Sequence, residues 1–533
     1  LAADFREAGE GRRIAFLKLV AGMLGVGLDE LVQREATGRH RRLAWLATAS
    51  LVGMAVTSTL AVFAAESRNE AREQRREAEG LVAFMLGDLK DKLEPIGRLD
   101  ALDGVGSRVL GYYQKQGTAD LSDAALIQRS RALNLMAEVA YMRGNMPEAE
   151  GLYRQAMAGT AEAMRRSPAD PQPIFDHAQN VFWLGEIARF RGNAEDALAQ
   201  YSEYKRLADR MVTLQPDNLK WRMEALYGAE DVGIALFNKR RFPDAAQQFA
   251  RALTPMQSLV SVDPDNQTYQ SELAKLYAWL ADAERSVGNP SAAIDARQKQ
   301  IAQLNGSIAR GATDVEFRQQ LITAHEGLGN LLISHGESER GLRELQAAVD
   351  QARELMPVEP ANKLWKSMAA GALLDLGSAL LSLGRADAAA NQTQSACALV
   401  TALGGRNPVP PKMRACLSMR TRLALQTGAT EQALTLARQA LASAQSERRE
   451  DPVLTRYLVA AAYRLLGDVC QKSGDRDAAR SAWTSALTSL PSGIAEQPAE
   501  MDEHARILER LGRTVESQRL VSKLNAVGYR RQI

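Results

Sequence analysis

The side chains able to do chemistry in this 533-residue chain are few in kind and scattered in place. An imidazole can ligate a metal or carry a proton near neutral pH. His40, His177, His325, His335 and His504 lie too far apart for HExxH or a similar ligand spacing. His325 falls at a core position of a repeating helix, where a packed role is expected. A phosphate loop needs GxxxxGK[ST] and a hydrolase elbow needs GxSxG; the chain contains neither. Gly104-Val105-Gly106 with Gly111 misses the spacing of a dinucleotide fingerprint and follows no predicted strand. These residues point to no catalytic centre, no cofactor and no metal. Three cysteines without a CxxC pair make neither a zinc site nor a disulfide scaffold. Cys470 is expected buried and reduced. Cys397 and Cys416 fall on consecutive helices, and a bridge between them requires Cα atoms within about 7 Å.

Charge excludes another class. The chain has 66 Lys+Arg against 64 Asp+Glu. Residues 1–42 carry eight basic residues against six acidic, residues 43–65 carry none, and 66–533 hold 58 of each. A balanced chain of this kind lacks the basic footprint that phosphate backbones select, so no nucleic-acid partner is expected.

The elements that position everything else begin with Leu43–Ala65, 23 residues without a charge. At 1.5 Å per residue such a helix covers the ~30 Å hydrocarbon core, with Trp45 and Phe63 near its ends. Arg39, His40, Arg41 and Arg42 precede it. This basic cluster favours residues 1–42 as cytoplasmic and 66–533 as periplasmic, in a single-pass inner-membrane protein. Within the span, Ala49, Gly53 and Thr57 form a small-xxx-small stripe through which two copies could pair as a homodimer. Residues 36–42 read as a basic juxtamembrane segment and 66–81 as a charged helical spacer. Before the span, Ile14, Leu17, Ala21 and Leu24 share one helical face. Gly25 and Gly27 break that helix, and Asp29 starts a short polar one.

From about residue 82 a repeat appears. Its turns align at Gly144, Gly192, Arg240, Gly288, Gly336, Gly384, Gly428, Gly474 and Gly512, the first five intervals being 48 residues. Leu184-Gly185, Leu328-Gly329, Leu376-Gly377 and Leu466-Gly467 precede the turns. Ala149, Ala197, Ala245, Ala293, Ala389, Ala433 and Ala479 follow them by five, and Tyr153, Tyr201, Phe249 and Trp483 by nine. The small residues let helices approach, and the rings are expected to fill the gap between repeats. Pro168, Pro216, Pro264, Pro360, Pro408, Pro452 and Pro491 are expected to close units. A fixed period marks an all-α solenoid of helical hairpins. An imperfect first pair over 82–119 would turn at Gly97, repeats would occupy 120–497, and 498–533 would cap the end.

The stretches LLGDVCQKSGDRDAARSAWTSALTSLP (465–491) and WLGEIARFRGNAEDALAQY (183–201) resemble the tetratricopeptide repeat, although that family's period is 34. Second helices such as Ala194–Leu214 are expected to be extended. Arg240 departs from the pattern at the turn, and Arg297 and Thr393 depart at the ring. The string LAADFREAGEGRRIAFLKLVAGMLGVGLDELVQRE looks like the end of a bacterial Toll/interleukin-1 receptor (TIR) domain. Residues 1–35 would then finish a cytoplasmic head whose core, with its NAD-hydrolysing site, lies upstream of Leu1. The segment 93–116 is similar to one that joins span and repeats in bacterial receptors.

The tetratricopeptide resemblance implies a protein or peptide ligand held on the first helix of each pair, roughly ten and six residues before the turn. Those positions hold Asn134, Glu138, Phe182, Glu186, Glu230, Asp282, Glu326 and Asn330. The family's basic clamp for a peptide carboxylate is not seen among them. The expected function is the sensing or scaffold region of a membrane-anchored signalling receptor. The alternatives are the receptor half of a TIR-type NAD-hydrolysing enzyme, or a soluble cytoplasmic scaffold.

Overall fold

The structure, a computed structural model, describes residues 11–86, 99–114, 122–311, 315–404, 412–447 and 451–531. The chain forms two compact units, Leu1–Arg98 and Leu99–Ile533.

In the first unit, α1 (Gly11–Leu24) is followed by α2 (Leu28–Leu86), a single helix of 59 residues. The short polar helix expected from Asp29 is therefore the start of a much longer one. No proline interrupts residues 28–86, so nothing ends the hydrogen-bond ladder before the apolar run begins. Ala44–Glu70 is long and apolar enough to cross a membrane by length and composition, and none of its most apolar stretch is buried. Leu51, Met54, Leu60 and Phe63 are all more than half exposed. The hydroxyls of Thr48, Thr57 and Thr59 donate to carbonyls one turn back at 2.6, 2.9 and 2.8 Å, which leaves few polar groups facing outward. Helix α1 folds against α2 through Ala15 and Ala21, while Ile14, Phe16, Leu19, Met23 and Leu24 stay exposed. Of the face expected to pack, only Ala21 is fully buried, because the close approach of two helices selects the smallest side chains.

Every regular element among the described residues of the second unit is a helix. It opens with α3 (Leu99–Gln114), which contains Gly104, Gly106 and Gly111 in its interior, so these glycines form no loop. A Cβ on Gly106 would sit 2.7 Å from Met136 Cγ, which makes it a packing glycine. Pairs follow: α4 (Asp123–Met142) with α5 (Met146–Arg166), α6 (Pro171–Phe190) with α7 (Ala194–Leu214), and α8 (Leu219–Asn238) with α9 (Phe242–Val262). Next come α10 (Gln267–Val287) with α11 (Pro290–Ala309), α12 (Val315–Ser334) with α13 (Ser338–Leu355), and α14 (Lys363–Ser382) with α15 (Ala386–Ala402). The last pairs are α16 (Met413–Gln426) with α17 (Thr430–Ser446), α18 (Pro452–Lys472) with α19 (Arg476–Ser489), and α20 (Pro498–Arg510) with α21 (Thr514–Ala526). The extended second helix over Ala194–Leu214 matches the sequence reading. Gly97 and Pro408 lie outside the described residues.

All nine turn positions have positive φ, including Arg240 at +60°. After each of them the next N–H bonds to the carbonyl five residues back at 2.8–3.0 Å, as in Asn145 to Ala140 and Asp475 to Cys470. This is the helix-ending geometry that glycine favours. Pro452 opens α18, capped by Asp451 Oδ1 at 2.8 Å from the Val453 N–H, instead of closing the unit before it. Proline suits a first helical turn, where its missing N–H has no partner to lose.

The seven alanines five residues past the turns are buried, and so are the four rings. The rings do not merely fill space between repeats. Three of the four lie over a glycine of their own pair's first helix: a Cβ on Gly185, Gly233 or Gly467 would meet Tyr201, Phe249 or Trp483 at 2.8, 2.4 and 2.4 Å, whereas Tyr153 has Ala137 at that offset. Their outer faces then receive the next pair, as Tyr153 stacks on Trp183 and Phe249 on Trp279 at about 5.8 and 5.9 Å. Consecutive first helices run side by side, tied by hydrogen bonds spanning 45 residues: Arg131 to Asp176 at 2.8 Å, Gln179 to Glu224 at 3.2 Å, Asn330 to Asp375 at 2.7 Å.

Cys397 and Cys416 form a disulfide between α15 and α16, with Cα atoms 5.5 Å apart. Cys470 is buried and free, and burial pushes its thiol pKa up.

The superhelix closes on itself. The terminal pair lies against the turns of three earlier pairs. Arg240 forms a buried ion pair with Glu500, and its Nε donates to the Ala495 carbonyl at 2.8 Å. Ser286 Oγ donates to Gln497 at 3.2 Å, the Arg530 N–H to the Ser334 carbonyl at 2.5 Å, and the His335 and Tyr529 rings meet edge to face. Val527 packs against Gly288, where a Cβ would lie 2.9 Å away. Helices α8 to α21 thus form a ring, and α3 to α7 extend it as an arm.

Candidate functional site

Closure leaves a half-open chamber of about 830 Å³. Its wall comes from the first helices of six successive pairs: Asp282 and Arg285 on α10, Asn330 and Ser334 on α12, Leu381 on α14, Ser418 and Arg422 on α16, Arg464 and Asp468 on α18, and Asp502 and Arg506 on α20. Tyr529 completes it, its hydroxyl pKa pushed up to about 12 by burial and by Asp502. First helices line the interior because the second helices, with their buried Ala and ring positions, spend their apolar faces on the core.

The wall is rich in guanidinia held by carboxylates. Arg464 donates to Glu503 at 2.5 and 3.1 Å and to Asp468 at 3.0 Å. Burial alone would lower its pKa, but Glu503 and Asp468 reverse this and hold it above the usual guanidinium range. Arg506 pairs with Asp502 at 3.0 Å, Arg510 with Asp468 at 2.8 Å and Arg414 with Glu447 at 3.2 Å. Arg422 differs. It donates to Ser378 Oγ at 3.2 Å and more weakly to Met419 Sδ at 3.7 Å.

The sequence-derived residues divide between ring and arm. Asp282 and Asn330 line the chamber. Asp282 accepts from Arg297 at 2.7 Å, the arginine that replaces a ring residue and is itself buried. Asn330 donates to Asp375, whose carboxyl is pushed up by burial. Glu326, beside the chamber, is raised to about 8 by burial and by Asp375, against the pull of Lys412. His325 is largely buried and its Nδ1 lies 2.7 Å from Glu344 Oε2, in keeping with a packed role.

The remaining residues follow the same register back through α8, at the start of the ring, and along the arm. Glu230 is raised to about 7 by burial and Glu272, and its neighbour Asp231 to about 8 by burial and Glu230. Burial pushes Glu186 up, but hydrogen bonds from Arg189 and Tyr201 outweigh it and leave the carboxyl below its usual range. Phe182 is taken up in packing against Trp183, Tyr201 and Tyr204. Glu138 lies near Tyr153, whose hydroxyl is raised by burial first and by Glu138 second. Asn134 has a buried Oδ1 without a hydrogen-bond partner among the described residues.

Ten and six residues before Gly428, Gly474 and Gly512 stand Ser418 and Arg422, Arg464 and Asp468, Asp502 and Arg506. The register that named Asp282 and Asn330 therefore also names most of the charged wall. Among the described residues, no cluster of His, Cys, Asp and Glu could hold a metal ion.

A family model for the tetratricopeptide repeat matches residues 327–399, from within α12 to within α15. Comparison with curated proteins gives no match. Among solved structures, the apo form of RapI is similar at 13% identity, covering 75% of this chain and 99% of that one, with a TM-score of 0.48. A Rap protein complexed with competence and sporulation factor is similar at 14% identity, covering 76% and 97%, with a TM-score of 0.42. A tetratricopeptide repeat protein from Parabacteroides merdae ATCC 43184 is similar at 14% identity, covering 62% and 97%, with a TM-score of 0.34. The chain is an all-α protein with a tetratricopeptide-like helical solenoid.

Proposed function

We propose that this chain is a membrane-anchored binding protein that takes a protein or peptide segment into the chamber of its ring and serves as the sensing or scaffold region of a signalling receptor. The observation that carries this is the chamber itself: about 830 Å³, walled by six first helices, five of them through the same position six residues before the turn, with charged side chains converging on it. The exposed apolar length of α2 supports a membrane span, since so large an apolar surface is otherwise unstable in water. The Cys397–Cys416 bond supports an oxidising compartment for the solenoid, with Arg39–Arg42 on the cytoplasmic side.

The test places a photo-crosslinking side chain at Ser418, in the chamber, or at Thr435, exposed on α17, in the full chain in its own membranes. A discrete adduct from Ser418 and none from Thr435 is the expected result. Equal labelling at both positions would remove the chamber as the binding site.

A second reading draws on α1. Its exposed Ile14, Phe16, Leu19, Met23 and Leu24 form an apolar surface suited to a neighbouring domain, as the TIR resemblance implies. The sequence upstream of Leu1 decides this: an alternating βα pattern of ~130–150 residues is the size one such domain requires.

A further inference from the structure

We infer that the chamber binds an oxyanion, carboxylate or phosphate, on Arg422, carried by a ligand with an apolar body. The inference rests on the chamber being the binding site and adds what chemistry it selects.

Pairing within the wall carries it first. Each of the other arginines facing the chamber has a carboxylate: Arg285 has Asp282 at 3.8 Å, Arg414 has Glu447, Arg464 has Glu503 and Asp468, Arg506 has Asp502, and Arg510 has Asp468. Arg422 has none. Its hydrogen bonds leave from Nη1 to neutral acceptors, and its Nε and Nη2 donate to nothing among the described residues. The charges that act on it are those of Arg464 and Arg506, which repel it. Burial, then these two neighbours, lowers its pKa, yet a guanidinium does not deprotonate in a protein. A partly buried cation in this position is costly until an anion joins it.

Register carries it second. Six residues before its turn, α18 has Asp468, where α16 has Arg422. The same inward position thus holds the opposite charge in the adjacent unit, and no carboxylate on α16, α14 or α18 compensates it. The Nε/Nη2 edge of the guanidinium forms the fork that matches two oxygens of a carboxylate or phosphate.

The rest of the wall limits the ligand. Leu331, Leu381, Leu425 and Leu465 line the chamber and suit an apolar body. Its volume lies in the ~300–1,000 Å³ range of sites for drug-sized molecules. Because Asp468 and Asp502 already neutralise their arginines, the site suits one or two negative charges and disfavours a polyanion. A free organic acid or phosphate ester satisfies this chemistry, and so does a glutamate between apolar residues of a peptide.

The experiment uses the full chain in non-ionic detergent. Probes are benzoate, phenyl phosphate, and an acetylated, amidated Ala-Leu-Glu-Leu-Ala peptide with its Gln counterpart, measured by calorimetry and by the shift in Tm. At least one anionic probe should bind and raise Tm. Arg422→Gln should weaken that binding tenfold or more, Arg422→Lys should fall between, and the Gln peptide should not bind. Binding of the peptide but not of the small acids assigns the anion to a peptide; the reverse assigns it to a free ligand. Arg422→Gln should melt no lower than the parent without ligand, because it removes an unpaired charge. Leu425→Asp keeps Arg422 but gives it a carboxylate one turn away, and should also abolish anion binding. Equal affinity in Arg422→Gln, or no binding by any anionic probe, overturns the inference. Adducts from Ser418 that persist in Arg422→Gln would leave the chamber as a binding site and sink the anion role alone.

Discussion

Arg240 holds a left-handed backbone position that costs an L side chain roughly 1–2 kcal/mol and glycine much less. What offsets this is its buried pair with Glu500, a residue that also accepts from the Gln497 N–H at 2.8 Å and so caps α20. Glu500→Ala should cost about 3–5 kcal/mol at the closure, since it strands a buried charge and removes a cap. Amide exchange should then accelerate across 490–531 and leave 123–214 unchanged. Arg240→Gly should relax its own turn yet loosen the same C-terminal amides. In sequence Arg240 is legible only as an exception to the glycine rule, because its partner lies 260 residues away and no local pattern joins them. Protonation is a second matter at this scale. Glu230, Asp231 and Glu326 are raised from 4.5, 3.8 and 4.5 to about 7, 8 and 8, so the folded chain binds protons that the unfolded chain has released. Their contribution to stability is full below about pH 4 and is lost as pH rises through 7 to 8. Denaturant midpoints should therefore fall from pH 5 to 8.5 more steeply in the parent than in Glu326→Gln.

At the scale of the element, the glycine under Tyr201, Phe249 or Trp483 decides how closely its pair can pack. Gly233→Ala would press a methyl group to 2.4 Å from the Phe249 ring and should destabilise by ~1–3 kcal/mol. Gly151→Ala, within α5 and with nothing inside 4 Å of the new methyl, should instead stabilise by ~0.5–1 kcal/mol. Opposite shifts in thermal midpoint check both. The Cys397–Cys416 bond, closing a separation of 19 residues, should contribute ~3 kcal/mol. Thiol titration of the denatured, unreduced chain should find Cys470 alone, and three thiols after reduction. The hairpins were plain in the sequence because turn, alanine and ring recur at fixed offsets. The length of α2 was not, because a change in composition at residue 43 resembles a boundary while the helical backbone needs none. The role of the rings was also half hidden, since the sequence places a glycine 16 residues before Tyr201, Phe249 and Trp483 but does not show that the ring covers it.

For the whole molecule, the functional reading depends on sidedness. A reporter active only in the cytoplasm, fused after Ile533, should be silent, and one active only outside should report. An active cytoplasmic fusion in membrane-bound protein would invert the orientation and remove the sensing role. Met54→Arg at the middle of the apolar helix should cost ~2.5–3.5 kcal/mol of insertion free energy and shift protein out of the membrane fraction.

Closure also changes how this chain must fold. In an open array every contact is between neighbours, folding can start anywhere, and stability is close to a sum over units. Here Arg240 meets Glu500 and Ser286 meets Gln497 across 260 and 211 residues, contacts that form only after the intervening pairs have stacked. A flexible chain of that length would lose ~5 kcal/mol of entropy in bringing its ends together. Once the pairs between have set the curvature, almost none of that cost remains. The ring is therefore completed last, after α20 and α21 have been synthesised, and the arm can be native well before it. A ribosome-stalled chain ending before residue 490 should carry a folded arm with open turns at Arg240, Gly288 and Gly336, and would expose their surfaces to any chaperone that follows synthesis.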